Sequence, residues 1–407
     1  MATPSQTAAG PLAGVRVIEL GQLIAGPFCG KTLADFGAEV IKIEPPGKGD
    51  PLRNWRMLKN GNSVWWEVQS RNKQSVTLDL TQPEGQDILR ALVKEADVLI
   101  ENFRPGKMEE WGLGYEALKT INPRLVMARI SGYGQDGPYC NRPGFGVIAE
   151  SMGGLRYLTA EPGRVPVRVG VSIGDTLAAL HGVIGILMAL YHRDRDHRDA
   201  RNGEGQVIDI ALYESVFNCM ESLLPEYSAF NAVREAAGSA LPGIVPSNAY
   251  ACRDGWILIG GNGDGIFKRL MTAIGRTDFA ASPEMASNEG RVKRVADIDG
   301  AISAWTGARE KAEALKILND YDVPSGAIYS IADIAADAQY RAREMILNIT
   351  TRDGYKVDVP GIVPKLSATP GGIRNTAPRL GEDTVDVLTR AGLKPETIAD
   401  LRAKGVI

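Results

Sequence analysis

The sequence predicts an α/β chain, a doubly wound domain accompanied by a smaller domain of different texture, and three observations carry that prediction. First, GVRVIEL (Gly14–Leu20), a helical stretch near Gly30–Phe36 and AEVIKIE (Ala38–Glu44) form a strand, helix and strand within about thirty residues. Second, the pattern recurs in SVTLDL (Ser75–Leu80), PEGQDILRALVKEA (Pro83–Ala96) and DVLIEN (Asp97–Asn102), and again where a helix around Gly114–Lys119 leads into RLVMARIS (Arg124–Ser131). Third, the texture changes between Leu223 and Ser330, where a Gly/Ala/Pro stretch (Ala236–Pro246) precedes AYACRDGWILIGG, a hairpin turning at Arg253–Gly255.

Each element has a local reason. Pro83 opens its helix because the first turn needs no N–H there, and Glu84 complements the helix dipole. TLAALHGVIGILMALY (Thr176–Tyr191) is shorter than a membrane span and interrupted by His181 and two glycines, so it reads as a buried helix. EDTVDVLTRAG and KPETIADLRAKG are two terminal helices, each closed by a glycine. HRDRDHRDAR (His192–Arg201) alternates charge sign and reads as a solvated turn. These boundaries divide the chain into 1–222, 223–330 and 331–407.

The 407 residues are 44% hydrophobic and 23% charged, which excludes disorder and coiled coil. Lys plus Arg (46) against Asp plus Glu (49) leaves a formal charge of −3, with no basic excess to bind phosphate backbones, which points away from nucleic acid. Cys29, Cys140, Cys219 and Cys252 are widely spaced, as reduced thiols of a cytoplasmic protein would be. The three histidines, His181, His192 and His197, join no Cys in zinc spacing, so no metal is expected. No apolar stretch precedes Arg16, the first basic residue, so neither a secretory nor a transit signal is expected, and a membrane is not expected as a partner.

Several segments carry candidate chemistry. AGPFCGKT (Ala25–Thr32) misses a phosphate-binding P-loop because Ala25 stands at the first glycine, Gln22 and its neighbours separate it from the strand, and Pro27 removes an N–H. Gly21, Gly26 and Gly30 do not match the dinucleotide fingerprint either. What remains is a Gly-rich loop at a strand's carboxyl end, where open α/β sheets bind ligands. ENFRPG (Glu101–Gly106) offers Asn102, Phe103 and Arg104, with Lys107 beyond, for an adenine ring and nearby phosphates, or is an ordinary turn. KGDPLRNW (Lys48–Trp55) places Lys48, Arg53 and Trp55 on one loop that suits a pyrophosphate, or is plain surface. Asp175 follows Gly174 at the start of the apolar helix, as an N-cap, and a carboxylate held there is also a usable nucleophile.

In order, GVRVIELGQLIAGPFCGKTLADFGAEVIKIEPPGKGDPLRNW, SVTLDL, ADVLIENFRPG, SGYGQDGP, GVSIGD, GEGQVIDIALYES and PRLGEDTVDVL resemble the class III CoA-transferases of the CaiB/BaiF family from about Pro11 to Ile407. The resemblance implies a doubly wound, Rossmann-like large domain built from N- and C-terminal segments, a smaller α+β domain between them, and an interlocked homodimer. It implies Asp175 as nucleophile and coenzyme A contacts at Ile24, Ala25, Leu78, Asn102, Phe103, Arg104, Ser131, Tyr133 and Gly134. Ile24, Pro45, Glu110 and Ser131 depart from the formyl-CoA:oxalate branch, which leaves the CoA phosphates to Lys48, Arg53, Arg104 or Lys107. Gln22 and Trp55 are candidates near the substrate, and Gly174, Gly260 and Gly261 are candidate oxyanion donors. YCNRPGFGVIAES (Tyr139–Ser151) has no histidine, whereas α-methylacyl-CoA racemases of the same superfamily need a second acid/base there. The expectation is CoA transfer from an acyl-CoA thioester such as succinyl-CoA to a small carboxylic or dicarboxylic acid, with Arg156, Arg164 and Arg168 as candidate carboxylate clamps. A racemase and an inert CoA-binding homologue are the alternatives.

Overall fold

A computed structural model describes residues 10–195 and 203–407. The chain divides into two compact units, one of 1–156, 169–232 and 341–407 and another of 157–168 and 233–340. The second unit therefore starts and ends later than the expected 223–330, and it takes in 157–168.

The first unit is organised by a six-stranded parallel sheet. Its strands are β1 (Arg16–Glu19), β2 (Glu39–Glu44), β5 (Lys73–Thr77), β6 (Val98–Glu101), β7 (Val126–Ser131) and β8 (Val207–Ala211), with a two-residue hairpin, β3 (Leu58–Lys59) and β4 (Asn62–Ser63), inserted after β2. The spatial order is β5-β2-β1-β6-β7-β8, so the winding direction reverses between β1 and β6. A parallel sheet is covered on both faces, which is why VLIE and VMARIS read as apolar runs without alternation. One face packs α3 (Pro83–Val93), α5 (Tyr115–Ile121) and the C-terminal helices Thr384–Arg390 and Pro395–Ala403 in a core that includes Leu89, Leu99, Leu118, Leu388 and Leu401. The other packs α1 (Ala25–Asp35), α8 (Ile173–Asp194) and α9 (Leu212–Phe217) around Leu33, Ile130, Ala178 and Ile186. The chain's C-terminal segment is tied to β5 by the Asp383 carboxylate, which accepts from Ser75 N at 2.8 Å, and by Thr384 Oγ1, which accepts from Thr77 N at 3.0 Å.

Shorter helices of this unit include α2 (Trp66–Gln69), α4 (Lys107–Glu110), α6 (Gly146–Met152), α7 (Leu155–Leu158), which continues into the second unit, and α10 (Leu223–Phe230). Helix α8 is longer than expected and is covered on one face only. Gly174, Ala178, Gly182 and Ile186 face inward, whereas Leu180, Ile184, Met188 and Tyr191 are exposed. It is long and apolar enough to cross a membrane by length and composition, and its buried face packs on α1 and β8. Of the charge-alternating run at 192–201, residues 196–201 lie outside the described residues.

The second unit has the expected hairpin. Strands β9 (Ser247–Cys252) and β10 (Gly255–Gly260) pair antiparallel from Cys252↔Gly255, and β11 (Ser325–Ala327) joins β10. One sheet face packs on a helical core containing Phe267, Leu270, Ile298 and Leu318. The hairpin β12 (Ile346–Thr350) and β13 (Lys356–Pro360) belongs to the first unit.

Candidate active site

All six parallel strands end on one edge of the sheet, and the apolar strand interiors give way there to buried charge. Glu19, Lys42, Glu44, Glu101 and Arg129 lie in the strands and are buried, as is Lys73, which opens β5 at the other edge and reaches in to Glu19. Such charges persist inside a protein only when paired and hydrogen-bonded, and each is. Lys42 Nζ lies 3.0 Å from Glu19 Oε1 and 2.8 Å from Asp50 Oδ2, while Lys73 Nζ lies 2.7 Å from Glu19 Oε2. Glu19 fits because Gly30 of α1 has no side chain: a methyl group there would overlap Glu19 Oε2. Burial pushes the Lys73 ammonium down to about 8, against the opposing pull of Glu19.

The winding reversal between β1 and β6 is the position where open sheets bind ligands. Here the loop after β1 and the loop after β6 are joined by one side chain. Asn102 Oδ1 accepts from Gln22 N at 2.8 Å, and Asn102 Nδ2 donates to Gln22 O at 2.9 Å. Asn102, expected beside an adenine or phosphate, thus uses its oxygen and one of its donors to hold the β1–α1 loop. Ile24 and Ala25 are buried at the start of α1, and Leu78 packs its side chain into the core.

Beyond Asn102 the chain forms a cleft of about 540 Å³ lined by Phe103, Arg104, Pro105, Lys107, Glu110 and Asn141. Phe103 packs edge-on against Trp111 at 5.3 Å, and Arg104 is exposed. The cleft wall is braced from below. Phe103 N donates to Glu101 Oε2 at 2.7 Å, and Arg129 bridges Glu101 and Glu109, both at 2.8 Å. Burial raises the Glu101 carboxyl to about 6 despite Arg129.

After β7, Ser131 Oγ accepts from Gly134 N at 3.0 Å, and the Tyr133 ring lies 6.0 Å from Tyr139 and 6.2 Å from Tyr213. Gly132 meets Gly144 backbone to backbone, which folds the 135–145 loop back onto the strand end. The next turn, Gly146, starts α6 and carries the Asp175 carboxylate against its bare Cα. Asp175 is thus brought to the carboxyl edge of β7. It occupies the first turn of α8, after the helix cap at Ser172, so it is not the cap residue. Its negative charge still lies at the favourable end of the helix dipole. Gly174 is buried, and a side chain there would crowd Gly146 O at 2.9 Å.

Arg53 is the clearest correction. It is 5% exposed, donates from Nε and Nη2 to the two Glu44 oxygens at 2.8 Å each, and stacks 3.7 Å over Trp66. A guanidinium so committed is a structural brace, not a phosphate ligand. Lys48 is exposed and Trp55 is half exposed. Gly260 and Gly261 belong to the second unit, and their N–H groups already donate to Pro324 O and Pro246 O at 2.9 Å each, so neither is an oxyanion donor. Arg156 is paired with buried Glu150 at 3.1 Å, whereas Arg164 and Arg168 are exposed in the second unit. Among the described residues, no group of three His, Cys, Asp or Glu could hold a metal ion, and the four cysteines are free thiols.

Sequence reasoning missed Gly146, Lys42, Asp50 and the Glu101–Arg129 pair. Charged residues interrupting otherwise apolar buried-strand runs were the available signal.

The family model of CoA-transferase family III matches residues 12–384. The chain is 47% identical to a succinyl-CoA:D-citramalate CoA-transferase of Chloroflexus aurantiacus, over 99% of this chain and all of that one. It is 42% identical to the beta subunit of a succinyl-CoA:L-malate CoA-transferase from the same organism, over 98% of each. A crystal structure of a CaiB/BaiF family protein from Brucella suis superposes with a TM-score of 0.82 at 34% identity, covering 94% of this chain and 100% of that one. The chain belongs to CoA-transferase family III and is an enzyme of that class.

Proposed function

We propose that this enzyme moves CoA from succinyl-CoA to a small dicarboxylic acid, with Asp175 as the covalent carrier. The carrying observation is the Asp175 carboxylate, set in the first turn of α8 and seated on the Gly146 backbone at the carboxyl edge of the sheet. The similarity to enzymes named for succinyl-CoA with citramalate or malate supports this donor and acceptor class.

The carboxylate attacks the thioester carbonyl, giving a succinyl–aspartyl anhydride and CoA thiolate. The thiolate attacks the aspartyl carbonyl, releasing succinate and leaving an aspartyl-CoA thioester. An acceptor carboxylate then displaces the thiolate to form a second anhydride, and the thiolate takes the acceptor's acyl group, freeing Asp175. A carboxylate is a weak nucleophile, so positioning supplies much of the rate; well-oriented intramolecular reactions gain about 7–11 kcal/mol. The cleft beside Phe103 and Arg104 takes the nucleotide end of CoA, with Lys48 and Lys107 near its phosphates, and Ser131, Tyr133 and Gly134 border the thioester end. The exposed stripe Leu180, Ile184, Met188 and Tyr191 on α8 is the face we assign to a homodimer, to be checked by light scattering.

Asp175→Ala is expected to abolish CoA exchange while leaving the circular dichroism and oligomeric state unchanged. Incubation with succinyl-CoA and hydroxylamine, followed by peptide mass spectrometry, is expected to give a hydroxamate at Asp175. Exchange retained by the alanine variant, or modification elsewhere, would refute the assignment.

A further inference from the structure

We infer that Lys42 and Asp50 are positioning residues that lock residues 21–27, the β1–α1 loop and the first turn of α1, in the conformation that receives the acyl-CoA; the inference rests on reading this sheet edge as the CoA site. The loop lies at the winding reversal and is unusual in its backbone: Leu23 has φ +63°, a left-handed conformation that side-chain-bearing residues avoid. Such a conformation persists only where its surroundings over-determine it. Those surroundings are explicit. Leu23 N donates to both Asp50 oxygens, at 3.0 and 3.2 Å, and the Leu23 side chain packs on the buried Leu52 and Trp66 cluster. Asp50 also accepts from Leu52 N at 2.9 Å, which fixes its own position at the start of the 51–54 turn.

Lys42 completes the lock. Its ammonium has three protons and three partners: Asp50 at 2.8 Å, Glu19 at 3.0 Å and the Gly21 carbonyl at 2.7 Å. At the other end of this segment, in the first turn of α1, Lys73 donates to Pro27 O at 2.8 Å and shares Glu19. Two ammonium groups bridged by one carboxylate therefore grip a carbonyl at the start of the loop and one in the helix turn that follows it, Asp50 holds the strained residue between them, and Asn102 holds Gln22. Lys42 is 1% exposed, so it offers no charge to a ligand, and its effect on binding passes through the loop.

The test compares the full-length parent with Lys42→Met and Asp50→Asn. Free CoA binding is measured by calorimetry, and steady-state kinetics use succinyl-CoA with D-citramalate. Asp50→Asn is nearly isosteric and keeps an acceptor for Leu23 and Leu52, so it decides the question if Lys42→Met does not fold. The lock predicts that the Kd for CoA and the KM for succinyl-CoA rise at least about tenfold in a folded Lys42→Met and about threefold or more in Asp50→Asn, while the KM for D-citramalate changes by less than about twofold. A purely structural role would lower the folded fraction and leave both KM values unchanged. CoA binding and both KM values within about twofold of the parent in the folded variants overturn the lock. A parent that neither binds CoA nor consumes succinyl-CoA refutes the CoA-site reading itself, and the lock with it.

Discussion

The Asp175 carboxylate rests against the bare Cα of Gly146, so closely that a methyl group at residue 146 would overlap Oδ2. Two helix starts, α6 and α8, meet at this contact, and the absence of a side chain on one makes room for the reactive group of the other.

Gly146→Ala is accordingly expected to displace the carboxylate without unfolding the protein, because Gly146 has an ordinary helical position in the first turn of α6. Displacements of about 1 Å at a reacting centre reduce rates by about a hundredfold. The expected outcome is a kcat reduced by at least about tenfold with the Kd for CoA unchanged, read from turnover and calorimetry. Unaltered kcat would mean that the carboxylate is not held where it reacts.

Asn102→Ala removes both bonds to the Gln22 main chain. Losing two hydrogen bonds that leave partly buried partners unsatisfied costs about 2 kcal/mol. The expected result is that loss in urea denaturation, with a several-fold rise in the KM for succinyl-CoA. Asn102→Asp keeps the acceptor for Gln22 N but opposes the Gln22 carbonyl with a second oxygen, so it is expected to recover at most half of the stability.

The comparison between sequence and structure turns on residues such as Arg53 and Asp175. The parallel strands, the terminal helices and the β9–β10 hairpin were readable because apolar runs, Pro at helix starts and closing glycines act locally. Asp175 was readable as a helix-start carboxylate within an ordered string of motif blocks, although its place in the first turn of α8, past the cap at Ser172, was not. Arg53 looked like a phosphate ligand because it sits in a polar loop with Lys48. Whether a guanidinium meets solvent or Glu44 depends on a strand that ends nine positions away and on Trp66, which no local pattern encodes. Likewise, Gly260 and Gly261 carry the composition of an oxyanion loop, but their N–H groups are taken by carbonyls from distant segments.

Arg53→Ala tests that correction. Glu44 is buried, and burial alone would raise its carboxyl; the paired Arg53 outweighs this and holds it below the ordinary carboxylate range. Removing the guanidinium leaves that charge unpaired, which costs about 3–5 kcal/mol. Lys48→Ala, on the exposed part of the same loop, is expected to change stability by less than about 0.5 kcal/mol. It is expected instead to raise the KM for succinyl-CoA at low ionic strength, an effect that added salt diminishes. Equal stability of the two variants in chemical denaturation would contradict the assignment of Arg53 as a brace.

Glu67, at the start of α2, supplies a pH-dependent prediction. It is 4% exposed and its Oε2 has no hydrogen-bond partner. Burial, and then the nearby Asp353 charge, raises its carboxyl to about 7, with Arg53 pulling the other way. In the unfolded chain the group loses its proton near the ordinary glutamate value. Between that value and about 7 the folded protein therefore holds a proton that the unfolded chain has released, so stability falls as pH rises through this window. Above it the whole penalty is present; well below it, both states are protonated and the group contributes nothing. Glu67→Gln resembles the protonated form at every pH. It is expected to stabilise the protein by about 3 kcal/mol at pH ~8 and to leave stability unchanged at pH ~4, as measured by chemical denaturation at the two values. Equal stability of the variant and the parent at the alkaline pH would show that this carboxylate is not held against its charge.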